Sequence, residues 1–152
     1  MRAYFFGNFY LSSIQQGIQA QHCTAEMFGK YCYPTDEVEK MQMLYGWQKG
    51  HKTTILLNGG DCYGLSEIFN VLDSDENPYP WAYFRESQEA LGSALTCVGV
   101  ILPERVYETA KEIQETSPEP AGWHAIPTVF GPAITPFEFD LCVTLNGCGL
   151  AR

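Results

Sequence analysis

The sequence predicts a single α/β domain, residues 1–152, with a mixed, mainly four-stranded sheet flanked by helices and a C-terminal extension over residues 117–152. Three observations carry this prediction. Segments with the period of a helix alternate along the chain with short β-branched or aromatic runs. The run from Ala94 to Leu102 is apolar on both faces, as a strand in the middle of a covered sheet must be. A chain of 152 residues, 45% of them hydrophobic, is long enough to bury roughly 70% of its unfolded surface around one core, and it shows neither an internal repeat nor a second boundary.

The elements follow in order. Residues 3–10, rich in aromatic residues, suit a strand. Ser12 and Ser13 each have Gln three residues on, so a capping box is available in either register. The helix expected over 13–31 has a buried face traced through Ile14, Ile18, Gln21, Ala25, Phe28 and Cys32, with His22 and Thr24 beside it. A second helix over 36–49 has Asp36 and Glu39 as its cap and Gly50 as its stop. Residues 52–58 form a strand that ends in Gly59-Gly60, with Asp61 as the next N-cap, and Leu65, Ile68, Phe69 and Leu72 give the third helix its stripe. An acidic loop marked by proline, residues 73–80, leads to strands over 81–86 and 94–102. Pro103 opens a helix whose inward residues are Val106, Ala110 and Ile113, and which Ser117-Pro118 ends. Farther on, Phe137, Phe139, Leu141, Val143 and Leu145 alternate as a strand would, with a short amphipathic helix as the alternative.

Charge narrows the function. Nine Lys and Arg against eighteen Asp and Glu leave a net charge of −9, which opposes binding to extended phosphate backbones. Six cysteines contain no C-x-x-C pair and no zinc-ligand spacing, and His124 stands alone beside Trp123, so no structural metal and no cofactor is expected. The chain opens without a basic and apolar leader, which points to reduced thiols in the cytoplasm, and no apolar run approaches the length of about 18 residues that crosses a bilayer.

The element order, taken with Gln16-Gly17, Gln21, Thr24-Ala25, Arg85-Glu86 and Gly92-x-x-x-Thr96, resembles the type II peptidyl-tRNA hydrolases, in particular the short hydrolase-like proteins of tailed bacteriophages. The similarity covers about residues 2–116. In that family the first helix carries Lys-Gly-Lys, a Gln and a His-Ala pair; here Gln21 matches the Gln, Ala25 the Ala, Glu86 the acidic position and Thr96 the Thr. Gln15 and Gln16 stand where the family has cations, Thr24 stands at the His with His22 nearby, and Leu91 rather than Pro precedes Gly92. The resemblance implies a pocket for a nucleotide ester, such as the aminoacyl-adenosine end of a charged tRNA. Without the cations, bulk tRNA is disfavoured as a partner.

Several constellations can carry chemistry. Glu86 and His22 are the candidate proton-handling pair, with Gln21, Thr24, Arg85 and Thr96 placed to hold a ligand. The turn Asn58-Gly59-Gly60-Asp61 can present backbone N–H groups to an anion, in competition with Asp61 as N-cap. His22-Cys-Thr24 and His51-Lys-Thr53 repeat the His-x-Thr pattern of two-histidine phosphoesterases, but their spacing and the helical setting of the first do not suit that family.

The leading expectation is a hydrolase acting on an ester or phosphoester of a nucleotide. One alternative is non-catalytic sequestration of a small or cyclic nucleotide signal, as in a phage anti-defence protein acting in the host cytoplasm. Another is an acidic protein that occupies a basic host partner. Homodimerisation is compatible with all three, and Gln21, His22, Glu86 and Thr96 are expected around one cavity.

Overall fold

A computed structural model describes residues 1–116 and 134–151. The expected helix end at Ser117-Pro118, the isolated His124 and half of the C-terminal extension lie outside those residues. In chain order the elements are β1 (Arg2–Gly7), α1 (Ser13–Tyr31), α2 (Val38–Gly46), β2 (Thr54–Asn58), α3 (Cys62–Leu72), β3 (Trp81–Arg85), α4 (Gln88–Leu91), β4 (Leu95–Leu102), α5 (Glu104–Thr116) and α6 (Pro136–Gly147). The result is an α/β domain built on one mixed four-stranded sheet in the order β2-β1-β4-β3. β1 pairs with β2 in parallel and with β4 antiparallel, and β4 pairs antiparallel with β3. β4 is buried along its whole length, as its apolar sequence requires of an inner strand.

Side chains alternate across the sheet and create two cores. On one face Ala3, Phe5, Cys97 and Ile101 meet Ala20, Cys23, Met27 and Tyr31 of α1, Leu44 of α2 and Trp47. On the other, Tyr4, Phe6, Val98 and Val100 meet α3 through Leu65, Ile68 and Leu72, α5 through Val106, Tyr107 and Ala110, and α6 through Phe137, Leu141, Cys142 and Leu145. Among the described residues no helix is long and apolar enough to cross a membrane.

Local chemistry sets the ends of the elements. Ser12 caps α1 in a full capping box with Gln15, and Asp61 caps α3 by accepting from the amides of Tyr63 and Gly64. β1 stops at Gly7, three residues before its expected end, because the side-chain carbonyl of Asn8 accepts from the Tyr10 amide and turns the chain. The helix expected over 36–49 begins later, with Glu37 at its N-cap and no side-chain cap bond. It then continues past Gly50 in a π-helical turn over Trp47–His51 that Lys52 ends in a left-handed conformation.

Two corrections bear on the site. The segment around Phe137–Leu145 is helix, where alternation favoured strand. Thr135 and Glu138 form a capping box and Pro136 holds the first helical position, so the chain is committed to helix before its apolar residues are met. The buried stripe of α1 runs through Gln16, Gln19, Ala20, Cys23, Met27 and Tyr31, while Ile14 is 76% exposed. Gln21 therefore faces solvent instead of the core.

Candidate functional site

Helix α1 lies antiparallel along β3, and their contacts run in step. Tyr31 Oη bonds the Trp81 carbonyl at 3.2 Å, Cys23 Sγ bonds the Ala82 carbonyl at 3.2 Å, the His22 ring stacks on Phe84 with centroids 4.6 Å apart, and Gln19 meets Glu86. The alignment carries the polar side chains of the first half of α1 to the edge of the sheet where β3 ends and β4 begins.

A β-bulge completes the arrangement. Consecutive residues Phe84 and Arg85 pair with Cys97 and Leu95, so Thr96 is the extra residue of β4. A bulge re-aims a side chain out of the regular alternation, and here it turns Thr96 toward α1. The Thr96 hydroxyl lies 2.9 Å from Gln19 Oε1 and 3.3 Å from the Phe84 carbonyl. Gln19 Nε2 donates to Glu86 Oε1 at 2.7 Å. Gln19 is only 6% exposed and Thr96 2%, so a buried Thr–Gln pair holds a half-buried carboxylate by a neutral donor. The orientation of the amide is forced, since reversing it would set the Gln19 oxygen against the carboxylate.

Glu86 takes part in no ion pair among the described residues. Arg85, next to it, turns to the other face, where its guanidinium lies 5.9 Å from the Tyr83 ring centre and Nη1 donates to the Ser93 carbonyl at 3.3 Å. The carboxylate is thus held by a neutral amide and by no cation. After Glu86 the short helix α4 is capped by Ser87 and closed by Gly92 in the left-handed conformation.

The floor beside this group is polar as well. The Asn8 amide donates to the Thr96 carbonyl at 3.2 Å, and Gln16 Nε2 donates to the Leu11 carbonyl at 2.9 Å. Gln16 is 3% exposed and its Oε1 accepts from nothing. It packs on Gly7, where a Cβ would stand 2.8 Å from that oxygen, so a larger residue there would push the Gln16 side chain aside.

The structure therefore brings together Glu86, Thr96 and, through Phe84, His22, with Gln19 at the centre. It does not bring in Gln21, which points to solvent. Nor does it free Thr24, whose hydroxyl bonds back to the Ala20 carbonyl at 2.8 Å within its own helix. Asn58 and Gly59 occupy the same sheet edge but on β2, three strand spacings or about 14 Å from β3. There the N–H groups of the turn are used internally. Gly59 N donates to Gly7 O, Gly60 N to Asn58 Oδ1, and the amides of Tyr63 and Gly64 to Asp61. A cavity of 330 Å³ beside the turn is lined by Asn58, Gly59, Gly60, Gly147, Cys148 and Gly149. His51 is exposed on the π-helical turn. Among the described residues no three His, Cys, Asp or Glu side chains gather as metal ligands would.

Sequence reading missed Gln19, Gln16 and the part played by Phe84. The signal was present: counting back from Tyr31 through Met27 and Cys23 in steps of three and four reaches Gln19 or Ala20 and then Gln16. Fold and site together define an α/β domain with a carboxylate held by a glutamine at the sheet edge. No protein-family model matches the chain, and no curated protein is significantly similar to it.

Proposed function

We propose that the protein hydrolyses an ester in a nucleotide-containing ligand, in the manner of a type II peptidyl-tRNA hydrolase, with Glu86 as general base. The observation that carries this reading is the Glu86–Gln19–Thr96 relay, in which a neutral, buried donor fixes the direction of a carboxylate without neutralising it. A structural carboxylate in the same place would more commonly meet a cation. The order of elements along the chain supports the same family.

In the reaction Glu86 takes a proton from water, whose oxygen forms a bond to the ester carbonyl carbon. The bond from that carbon to the ribose oxygen then breaks, and the leaving oxygen receives the proton that Glu86 took from the water, with the neutral ring of His22, one helical turn beyond Gln19, on the nucleoside side to pass it on. The products are a carboxylic acid and the free nucleoside hydroxyl. The His22–Phe84 stack offers a flat surface to the nucleoside.

The test is release of adenosine from N-acetyl-aminoacyl-adenosine esters by the purified protein. Glu86→Gln is expected to lower the rate by about 100-fold or more while leaving the melting temperature nearly unchanged; full activity in that variant would remove Glu86 from the mechanism. One observation favours a second reading, binding without cleavage. Gln15 and Gln16 stand where the family has cations, and Gln16 is packed under Gly7, so neither supplies positive charge to an ester oxyanion. Stabilisation by a mono-, di- or cyclic nucleotide, about 2.7 kcal/mol at a hundred times its Kd, together with no turnover of any ester, would establish that reading instead.

A further inference from the structure

From Ala3 through Ala25 the chain carries no Asp, Glu, Lys or Arg, although 18% of all residues are of these types. For the buried strand β1 this is ordinary; for the exposed surface that follows it is not. Tyr10 is 75% exposed, Ile14 76%, and Phe9 and Ile18 46% each. Phe9 and Tyr10 stack on one another with centroids 4.1 Å apart. Ile14, Ile18 and His22 follow at intervals of four and so form one row on the helix surface. The row ends at the site, because His22 packs on Phe84 and Gln19, next to Ile18, holds Glu86.

An uncharged, apolar row leading to a lone carboxylate selects a ligand by shape and hydrophobicity. A phosphate or a free carboxylate would find no cation there and would be repelled by Glu86. A second copy of the chain is the weaker candidate, since four side chains expose less than the 800 Å² or so per partner that a stable interface buries.

We propose that this row is the acyl-binding track of the ester-hydrolase site, so that the substrate's acyl part is uncharged and apolar, such as a blocked aminoacyl group with an aromatic or branched side chain. The acyl group lies over Ile18 and Ile14 toward Tyr10, its carbonyl stands at Glu86, and the nucleoside lies on the His22 side. This rests on the hydrolase reading and adds the class of acyl group.

The experiment compares kcat/KM of the full-length protein for adenosine esters of N-acetyl-phenylalanine and N-acetyl-aspartate. The wild type is expected to prefer the phenylalanine ester by about tenfold or more, and Ile18→Ser to reduce the preference to about twofold, with Ile18→Val retaining most of it. Ile18 is half exposed, so an unchanged melting temperature serves as the folding check. Equal rates for the two esters in the wild type overturn the track and leave the hydrolase reading intact. Turnover of neither ester removes the hydrolase reading and the track with it. If Ile18→Ser converts a dimer to a monomer in light scattering while the ester preference stays the same, the surface belongs to a second copy and the track is overturned.

Discussion

Glu86 and Glu138 are carboxylates at opposite ends of the sheet and on opposite faces of it, and their surroundings differ in every respect. Glu138 is 1% exposed. It accepts from Arg105, from the Tyr79 hydroxyl and from the Thr135 amide, joining the loop before β3, the first turn of α5 and the N-terminus of α6. Burial alone would push its carboxyl up, but the bonds from Arg105, Tyr79 and Thr135 more than reverse this and hold it at about 2. The Tyr79 phenol is pushed up in turn, first by its own burial and then by its bond to Glu138 and that group's negative charge. Glu86 is half exposed and receives one bond from a neutral amide. A carboxylate neutralised and saturated in this way fastens one helix to a sheet. One directed by a single neutral donor keeps an oxygen for other chemistry.

The contrast can be broken most forcefully at Glu138. Replacement by Gln weakens the charge-assisted bonds from Tyr79, Thr135 and the half-exposed Arg105 that anchor α6, and is expected to lower the stability by about 2–3 kcal/mol, read as a reduced midpoint in urea. A change as small as that of a surface residue would show that α6 is held by its apolar face alone. The same group sets the acid limb of stability. Because its folded-state pKa is depressed from 4.5 to about 2, its contribution is complete above the unfolded value and is lost as the pH falls from about 4.5 toward 2. The loss reaches on the order of 3 kcal/mol. Denaturant titrations of the wild type and Glu138→Gln should therefore converge at the acid end; curves that stay parallel down to pH 2 would remove Glu138 from the acid transition.

The next effect is smaller and concerns the other carboxylate. Gln19→Ala removes a buried amide and leaves the Thr96 hydroxyl with only the Phe84 carbonyl as a partner, so a loss of about 1–2 kcal/mol is expected. The rate of ester hydrolysis should fall more steeply than that stability loss explains, since Glu86 would then swing freely. Stability lost with unchanged turnover would reduce the relay to a structural hydrogen-bond network.

Much of the fold was readable because propensity and pattern agreed. Asp61 and the Leu65–Ile68–Leu72 stripe marked α3, and the run into Leu102 marked an inner strand. The failures have physical causes. Helix α6 is apolar on most sides, so every second residue is apolar as well and the period is ambiguous; its capping box was the better guide. Helix α1 presents Ile14 and Ile18 outward and Gln16 and Gln19 inward, the reverse of the usual preference, because these two glutamines bond to Leu11, Thr96 and Glu86. Thr96 and Glu86 could be named from the sequence; the residue joining them could be reached only by phasing α1 from Tyr31 through Met27 and Cys23, and its meeting with Thr96 depends on a bulge that no sequence pattern marks.

The smallest expected effect gives the sharpest test of that phase. Gln19 and Gln21 are chemically identical and two residues apart, and two residues on a helix is a rotation of about 200°. If the stripe through Cys23 and Met27 is the buried one, Gln21 touches only solvent, and Gln21→Ala should change the melting free energy by less than about 0.5 kcal/mol. Its effect on ester turnover should be equally slight, because Glu86 takes its bond from Gln19. The pair of alanine variants thus separates two phases of one helix by a stability measurement alone. Were Gln21→Ala the costlier of the two, α1 would be turned to bury Ile14 and Ile18, the apolar track would lie in the core, and both the relay and the acyl site would have to be placed elsewhere.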